Sequence, residues 1–405
     1  MLRLTTLYPS LANPPYRLLW LGMAPALFAF NMGVVATGYA AVTLASSAFE
    51  VGLVGGAWGL PVLVVPLLGG VAADRFSRRA ILVVSHVGIA AASLVIGILA
   101  GLGTLAIPHL VGLGLVQGLA FSFLTPARVA YAASVLETEL MPNAIAAHYV
   151  SLNVCAMLGP AAAGMLLASP SVGLPGTYGV IVVLLALTVA AFLLLPDHRA
   201  DSAEAGSAWA RMREGVRYIG ETRPLPALIG LAALVMLFGM PYQQLLPVFA
   251  ERVFAAGAEG LGWLVACVGV GAVLGSIVTA PLRSRAGLAR YQLVFGLAFG
   301  LALVGFGYAP AFGFALVGAA FAGFAASALT VVNNSLVISR SDPRFYGRVW
   351  SINQLTFGLG LLGAVPMAWL ADRIGPSGAV ALGGVLVAAA TVGVARYAGA
   401  HLDPG

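Results

Sequence analysis

The chain contains no lysine; all 20 of its basic residues are arginine. A phosphate-binding loop of the Walker type needs a lysine on the phosphates, so ATP-driven transport by this chain is excluded. Exclusive arginine can serve phosphate recognition, but these arginines are scattered among loops, which fits compositional bias better. Charge of either sign is scarce: 8% of residues are charged and 60% are apolar, whereas ordinary soluble domains carry about 25% charged residues. A soluble globule of 405 residues would need far more polar surface. The composition therefore excludes a soluble enzyme, a disordered chain and a nucleic-acid-binding protein. Cysteine is nearly absent. Cys155 and Cys267 lie inside apolar stretches, so neither a disulfide framework nor a metal site is expected. There is no His-Glu-x-x-His pattern and no Gly-x-Ser-x-Gly elbow, so no catalytic set and no cofactor are expected.

What the sequence has instead is long runs without charge. Leu18–Phe49, Val51–Ala73, Ala80–Ala127 and Leu140–Pro196 fill the first half; the two longest are broken near Gly101-Leu102-Gly103 with Pro108, and at Ser169-Pro170 with Pro175-Gly176. Pro224–Ala250, Gly260–Leu282, Tyr291–Ser339, Val349–Ala371 and Ile374–Ala395 fill the second, with one break at Ala309-Pro310. At ~20 residues per crossing, each half holds six spans, twelve in all. Each span must be helical, because lipid offers no partner to backbone N–H and C=O groups. The expected fold is an all-α membrane protein of twelve helices in two pseudo-symmetric bundles, residues 1–196 and 224–405. The run lengths match from half to half, and Ser151 and Asn153 recur as Ser351 and Asn353.

Between the halves, Asp197–Arg223 holds 10 of the chain's 34 charged residues and is read as an aqueous linker. Trp209, Met212, Val216 and Ile219 recur there at helical spacing, which predicts a short amphipathic helix on the membrane surface. With the N-terminus inside, eighteen of the 20 arginines fall on the cytoplasmic side and only Arg252 and Arg373 outside. This satisfies the positive-inside rule and places both termini in the cytosol of a multi-pass inner-membrane protein. The first apolar segment is too long for a signal peptide and is expected to be retained.

Gly69-Gly70-Val71-Ala72-Ala73-Asp74-Arg75-Phe76-Ser77-Arg78-Arg79 resembles the loop 2–3 motif of the major facilitator superfamily. Pro126-Ala127-Arg128, Pro142-Asn143-Ala144, Asn153, Gly159-Pro160 with Gly164, Gly347-Arg348-Val349 and Leu370-Ala371-Asp372 are similar to its bacterial branch of enterobactin-type exporters and related drug-efflux permeases. There are departures. Cys155, Ala162 and Ala163 stand where glycines are usual, and the second-half motif keeps Arg283 and Arg285 without an acid. Gly114 stands where many proton-coupled members carry an arginine, so protons stay an open question as partner.

The resemblance implies a monomeric secondary transporter that moves a small molecule across the bilayer by alternating access. It implies a cytoplasmic latch of Asp74, Arg75, Arg78, Arg79 and Arg128, closing on the N-terminus of span 11, where the helix dipole favours an anion. A purely topogenic loop would need the bases but not Asp74. Gly159, Pro160 and Gly164 on span 5, with Gly271 and Gly275 on span 8, would form a seal; generic close packing explains the same glycines. The cavity would be lined by Asn31, Tyr39, Gln117, Phe121, Tyr242, Gln243, Gln244, Asn333 and Asn334, with Phe28 and Phe238 nearby; interhelical hydrogen bonding is the alternative for the amides. His86, His109 and His148 are read as packed or interfacial residues. Export of a drug-like compound or siderophore is the leading function. An importer or uniporter of the same fold, lipid transport, and a membrane-embedded lipid enzyme are the alternatives. Asp74→Asn should impair transport while leaving membrane insertion intact; unimpaired transport in vesicles would remove the latch.

Overall fold

The structure is a computed structural model that describes residues 8–64, 77–197, 208–279, 287–342 and 345–402. Its regular elements are helical; no strand occurs among the described residues. In chain order they are α1 Pro14–Leu44, α2 Ala48–Val64, α3 Arg78–Gly101, α4 Ile107–Val135, α5 Met141–Ala168 and α6 Gly173–Leu193. Then come α7 Ala208–Glu221, α8 Leu225–Leu234, α9 Tyr242–Val248, α10 Gly257–Thr279, α11 Leu288–Gly307, α12 Phe312–Ser339, α13 Tyr346–Leu362 and α14 Ala364–Leu402. Two π turns, Val235–Gly239 and Phe249–Val253, make α8 and α9 one interrupted rod. Among the described residues, ten apolar helices are long enough to cross a bilayer. The count differs from the twelve expected for two reasons: α2 is described only to Val64, and the tenth helix runs across two expected spans. The break in α14 is Gly375, whose φ of 81° suits only glycine, followed by Pro376.

Local chemistry sets the ends. Helix α3 stops at Gly101 and α4 restarts after Gly103, at φ 69°, with Pro108 in its first turn. The first apolar run does not continue to Phe49. It ends at Leu44, and Ser47-Ala48-Phe49-Glu50 opens α2 as a capping sequence: Ser47 Oγ accepts from the Glu50 N–H at 3.2 Å, and Glu50 Oε2 accepts from Ser46 N at 2.8 Å. The outer faces are apolar, as lipid requires; Leu301 and Val317 are 69% and 70% exposed.

The chain forms two compact units, one of Met1–Leu44 with Ala57–Glu204 and one of Ala45–Gly56 with Ala205–Gly405. In the first, α1 packs on α5 and α6, and α3 on α4 and α6, around Leu19, Leu82, Tyr131 and Phe192. Polar side chains staple α1 to the α4–α5 connection: Tyr16 Oη donates to Ala144 O at 2.8 Å, Trp20 Nε1 to Ala147 O at 3.0 Å, and Asn13 Nδ2 to Val135 O at 2.7 Å. In the second unit, α10 crosses α12 and α11 crosses α14 in the most extensive contacts. A Cβ on Gly271 would overlap the Ala320 carbonyl, and one on Gly275 the Phe324 carbonyl, so α10 and α12 touch backbone to backbone.

The linker helix forms, and its docking face keeps Ile219 of the stripe read from the sequence but not Val216. Gly215, Tyr218 and Ile219 meet the start of α13: Tyr218 stacks on Phe345 at 4.1 Å, Gly215 approaches Arg348 and Ile352, and Ile219 is buried. Val216 stays 55% exposed, and the side chains of Trp209 and Met212 lie outside the description. A tyrosine and a glycine at helical spacing carry the contact, which a count of aliphatic residues passes over.

Because α10 and α12 meet at backbone distance, Gly271→Ala should lower the thermal stability of the purified protein by roughly 1–3 kcal/mol through overpacking. Gly305→Ala, whose Cβ would meet nothing within 4 Å, should leave it unchanged or slightly raised.

Candidate functional site

Two of the five expected latch residues, Asp74 and Arg75, lie outside the described residues. The other three are half-buried at one end of the first unit. Arg78 opens α3 and donates from Nη1 to Ala130 O on α4 at 3.0 Å, which brings it beside the segment carrying Arg128; its Nε is buried without a partner. Ser77 caps α3, accepting from Ala80 N at 3.2 Å and donating to Asp197 Oδ1. The sequence reading missed Asp197 as a partner, although it is the first acid after span 6. Near the N-terminus of α13, Arg348 pairs with Glu214 of α7 at 2.9 Å and lies 5.0 Å from the Phe345 ring centroid. Both partners of that pair are partly exposed, so the contact orients α7 more than it stabilises it.

A second carboxylate contact was not foreseen. Asp372, in α14, accepts from Ala48 N at 2.8 Å and Phe49 N at 2.9 Å, two of the unbonded N–H groups that begin α2. Arg252 Nη2 donates to Ala45 O at 2.7 Å, and Gly52 lies against Ala364 and Ala368. These bonds explain why residues 45–56 belong to the second unit. The signal was present in the Leu370-Ala371-Asp372 motif, whose acid had been given no partner.

The expected cavity residues divide into three groups. Asn31 donates to its own helix at Leu27 O, 2.8 Å away, and Gln117 donates to Ser93 Oγ at 3.1 Å; both stay half-buried, as does Tyr39. Phe121 stacks with Phe30 at 5.4 Å and meets Trp58 at 5.0 Å, and Gly118 beside it faces the Trp58 carbonyl. Neither Phe30 nor Trp58 was among the residues expected to line the cavity. Gln243 is exposed, and Gln244 lies against Gly55. Tyr242 is instead core: its ring meets Phe299 and Phe306 edge-on and is 1% exposed. Asn333 is likewise buried and paired, receiving Gln292 Nε2 at 2.7 Å and donating to Leu228 O at 3.3 Å. Asn334 accepts from Asn353 Nδ2 at 3.0 Å.

The small residues expected to seal spans 5 and 8 pack within their own units. Gly159 approaches Asn31 and Phe28 of α1, with Pro160 and Gly164 buried beside it, while Gly271 and Gly275 of α10 abut the Ala320 and Phe324 backbone of α12. His86 is buried, bonded to Leu82 O at 2.8 Å and edge-on to Phe192, which is a packing role. Among the described residues no group of histidine, cysteine or acidic side chains could hold a metal.

The described residues form helices that are apolar outside and pinned by sparse polar contacts, the arrangement of a multi-pass membrane protein. Residues 5–400 match the family described as transmembrane secretion effector, and the chain belongs to that family. The staphyloferrin A transporter of Staphylococcus aureus is 23% identical over 352 residues, covering 85% of this chain and 86% of the relative. The enterobactin exporter EntS of Shigella flexneri is 22% identical over 361 residues, covering 87% and 85%. Among solved structures, the nucleoside transporter NupG superposes with a TM-score of 0.72 at 15% identity, covering 96% of this chain and 98% of its own. A bacterial homologue of the human lysosomal transporter Spinster gives a TM-score of 0.70 at 16% identity, covering 96% and 95%.

Losing both carboxylate oxygens from the start of α2 should matter more than losing the charge. Asp372→Ala is expected to cost about 1 kcal/mol, as removal of a helix cap does, and Asp372→Asn less, since an amide oxygen still accepts. Thermal unfolding of the two purified variants beside the parent measures the difference.

Proposed function

We propose that this protein exports a small amphipathic molecule of the siderophore or drug-like class across the bacterial inner membrane by alternating access, with both termini in the cytosol. The observation that carries the reading is similarity over 85–87% of the chain to a staphyloferrin A transporter and an enterobactin exporter. The clustered aromatic faces of Phe30, Trp58 and Phe121 support it. Flat aromatic surfaces with a few amides suit a neutral or weakly polar ring-bearing solute better than a small inorganic ion. Asn31, Tyr39, Gln243 and Gln244 are the further residues assigned to the substrate path.

Alternating access needs contacts that release. The Asp74 corner with Arg75, Arg78, Arg79 and Arg128 is assigned to the cytoplasmic gate, and the Asp372 cap to the opposite side. Any movement of residues 45–56 away from the second unit would give up the Asp372 and Arg252 bonds. Energy comes from an ion gradient, since the chain has no nucleotide loop. The transporter works as a monomer.

Everted membrane vesicles test the reading. Radiolabelled catecholate or carboxylate siderophore should accumulate without ATP, and ionophores that dissipate the ion gradients should abolish it. Accumulation that survives ionophores reduces the protein to a uniporter; failure across siderophore and drug panels removes the substrate class.

A further inference from the structure

A cavity of about 20 Å³ lies inside the second unit, between α8, α12 and α13. Its polar lining is Thr330, Asn333, Asn334, Asn353 and Thr356; Val235 and Met236, at the start of a π turn, close another wall. A water-sized occupant needs about 10–15 Å³ measured this way, so the space has room for one such particle. π turns interrupt helices frequently at functional sites.

The lining is rich in oxygen lone pairs. Asn353 is 2% exposed, and its Oδ1 is buried with no partner. Its Nδ2 already donates to Asn334. The Thr330 hydroxyl hydrogen is given to Ala326 O at 2.8 Å and that of Thr356 to Asn353 O at 2.6 Å, so both hydroxyl oxygens can only accept from the cavity side. The Asn333 amide is fixed by Gln292 and Leu228. An unpaired amide oxygen deep in an apolar bundle is costly unless something meets it. The occupant must therefore present positive charge or hydrogens to several neutral oxygens at once. Hard oxygen donors suit a hard cation, and neutral oxygens can replace its hydration shell. Calcium and magnesium sites are built with carboxylates, and the lining has none.

We infer that this cavity binds a single sodium ion through the side-chain oxygens of Asn353, Thr330 and Thr356. The site deepens the transport reading by supplying a coupling cation without a mid-membrane acid, and so rests on that reading for its purpose. Its occupancy is measured without transport, which separates the two failures.

The purified full-length chain in detergent is titrated with sodium chloride against choline chloride at constant ionic strength, following thermal unfolding. Sodium should raise the unfolding temperature saturably where choline does not, because a ligand of the folded state stabilises by mass action. Asn353→Leu and Thr356→Val should weaken the apparent sodium affinity about tenfold or more, while Gly305→Ala leaves it unchanged. Thr330→Val, nearly isosteric, replaces Asn353→Leu if that variant does not fold. Equal effects of sodium and choline, as a trapped water would give, overturn the proposal, as does a sodium response untouched by these substitutions.

Discussion

Hydrocarbon offers no hydrogen-bond partner, and most of this molecule follows from that constraint. Backbone groups are satisfied inside helices, and hydroxyls fold back onto carbonyls one turn earlier, as Ser122 does to Gly118, Thr177 to Gly173 and Thr391 to Val387. Amides that cannot do this find polar partners across helices, as Gln117 does at the Ser93 hydroxyl and Gln292 at the Asn333 amide. Against that background of satisfaction the few unpaired buried groups stand out. Arg78 Nε lies beside the expected cytoplasmic gate, and Asn353 Oδ1 lines the oxygen-rich cavity.

Without a hydrophobic drive between helices in lipid, close approach needs small side chains. Backbone contact between α10 and α12 through Gly271, Gly275 and Gly323 gives the second unit a rigid wall, and α12 carries Thr330, Asn333 and Asn334 on the same helix. Rigidity of that wall holds the amide cluster in register with α13. The first unit is held differently, by tyrosine, tryptophan and asparagine side chains that reach from α1 to the α4–α5 connection. Asn143, part of the motif that first suggested the family, accepts from Ser10 N at 3.1 Å and has a structural role in that staple.

Several polar contacts were legible and several were not. The polar positions Asn333 and Asn334 were found because an amide in an apolar run is conspicuous. That Asn333 is paired while its neighbour reaches Asn353 was not, since helix rotation decides which face each occupies. Trp58 and Phe30 stand in apolar runs where aromatics are ordinary. Asp372 was visible, yet its role depends on α2 beginning at Ala48, and that boundary followed from Ser47 and Glu50 within what looked like one uninterrupted span.

Composition and run length alone determined an all-helical membrane protein, its long apolar helices and its charged linker, because the cost of burying charge and backbone in lipid is paid locally, segment by segment. Family membership was equally readable from short motifs. Only the tertiary structure decided that residues 45–56 belong to the second unit, that Gly215, Tyr218 and Ile219 dock the linker helix, and that Asn353 closes an oxygen-lined cavity. Those facts depend on the rotation and crossing of helices far apart in sequence. Pairwise contact sets them, and no local pattern encodes it.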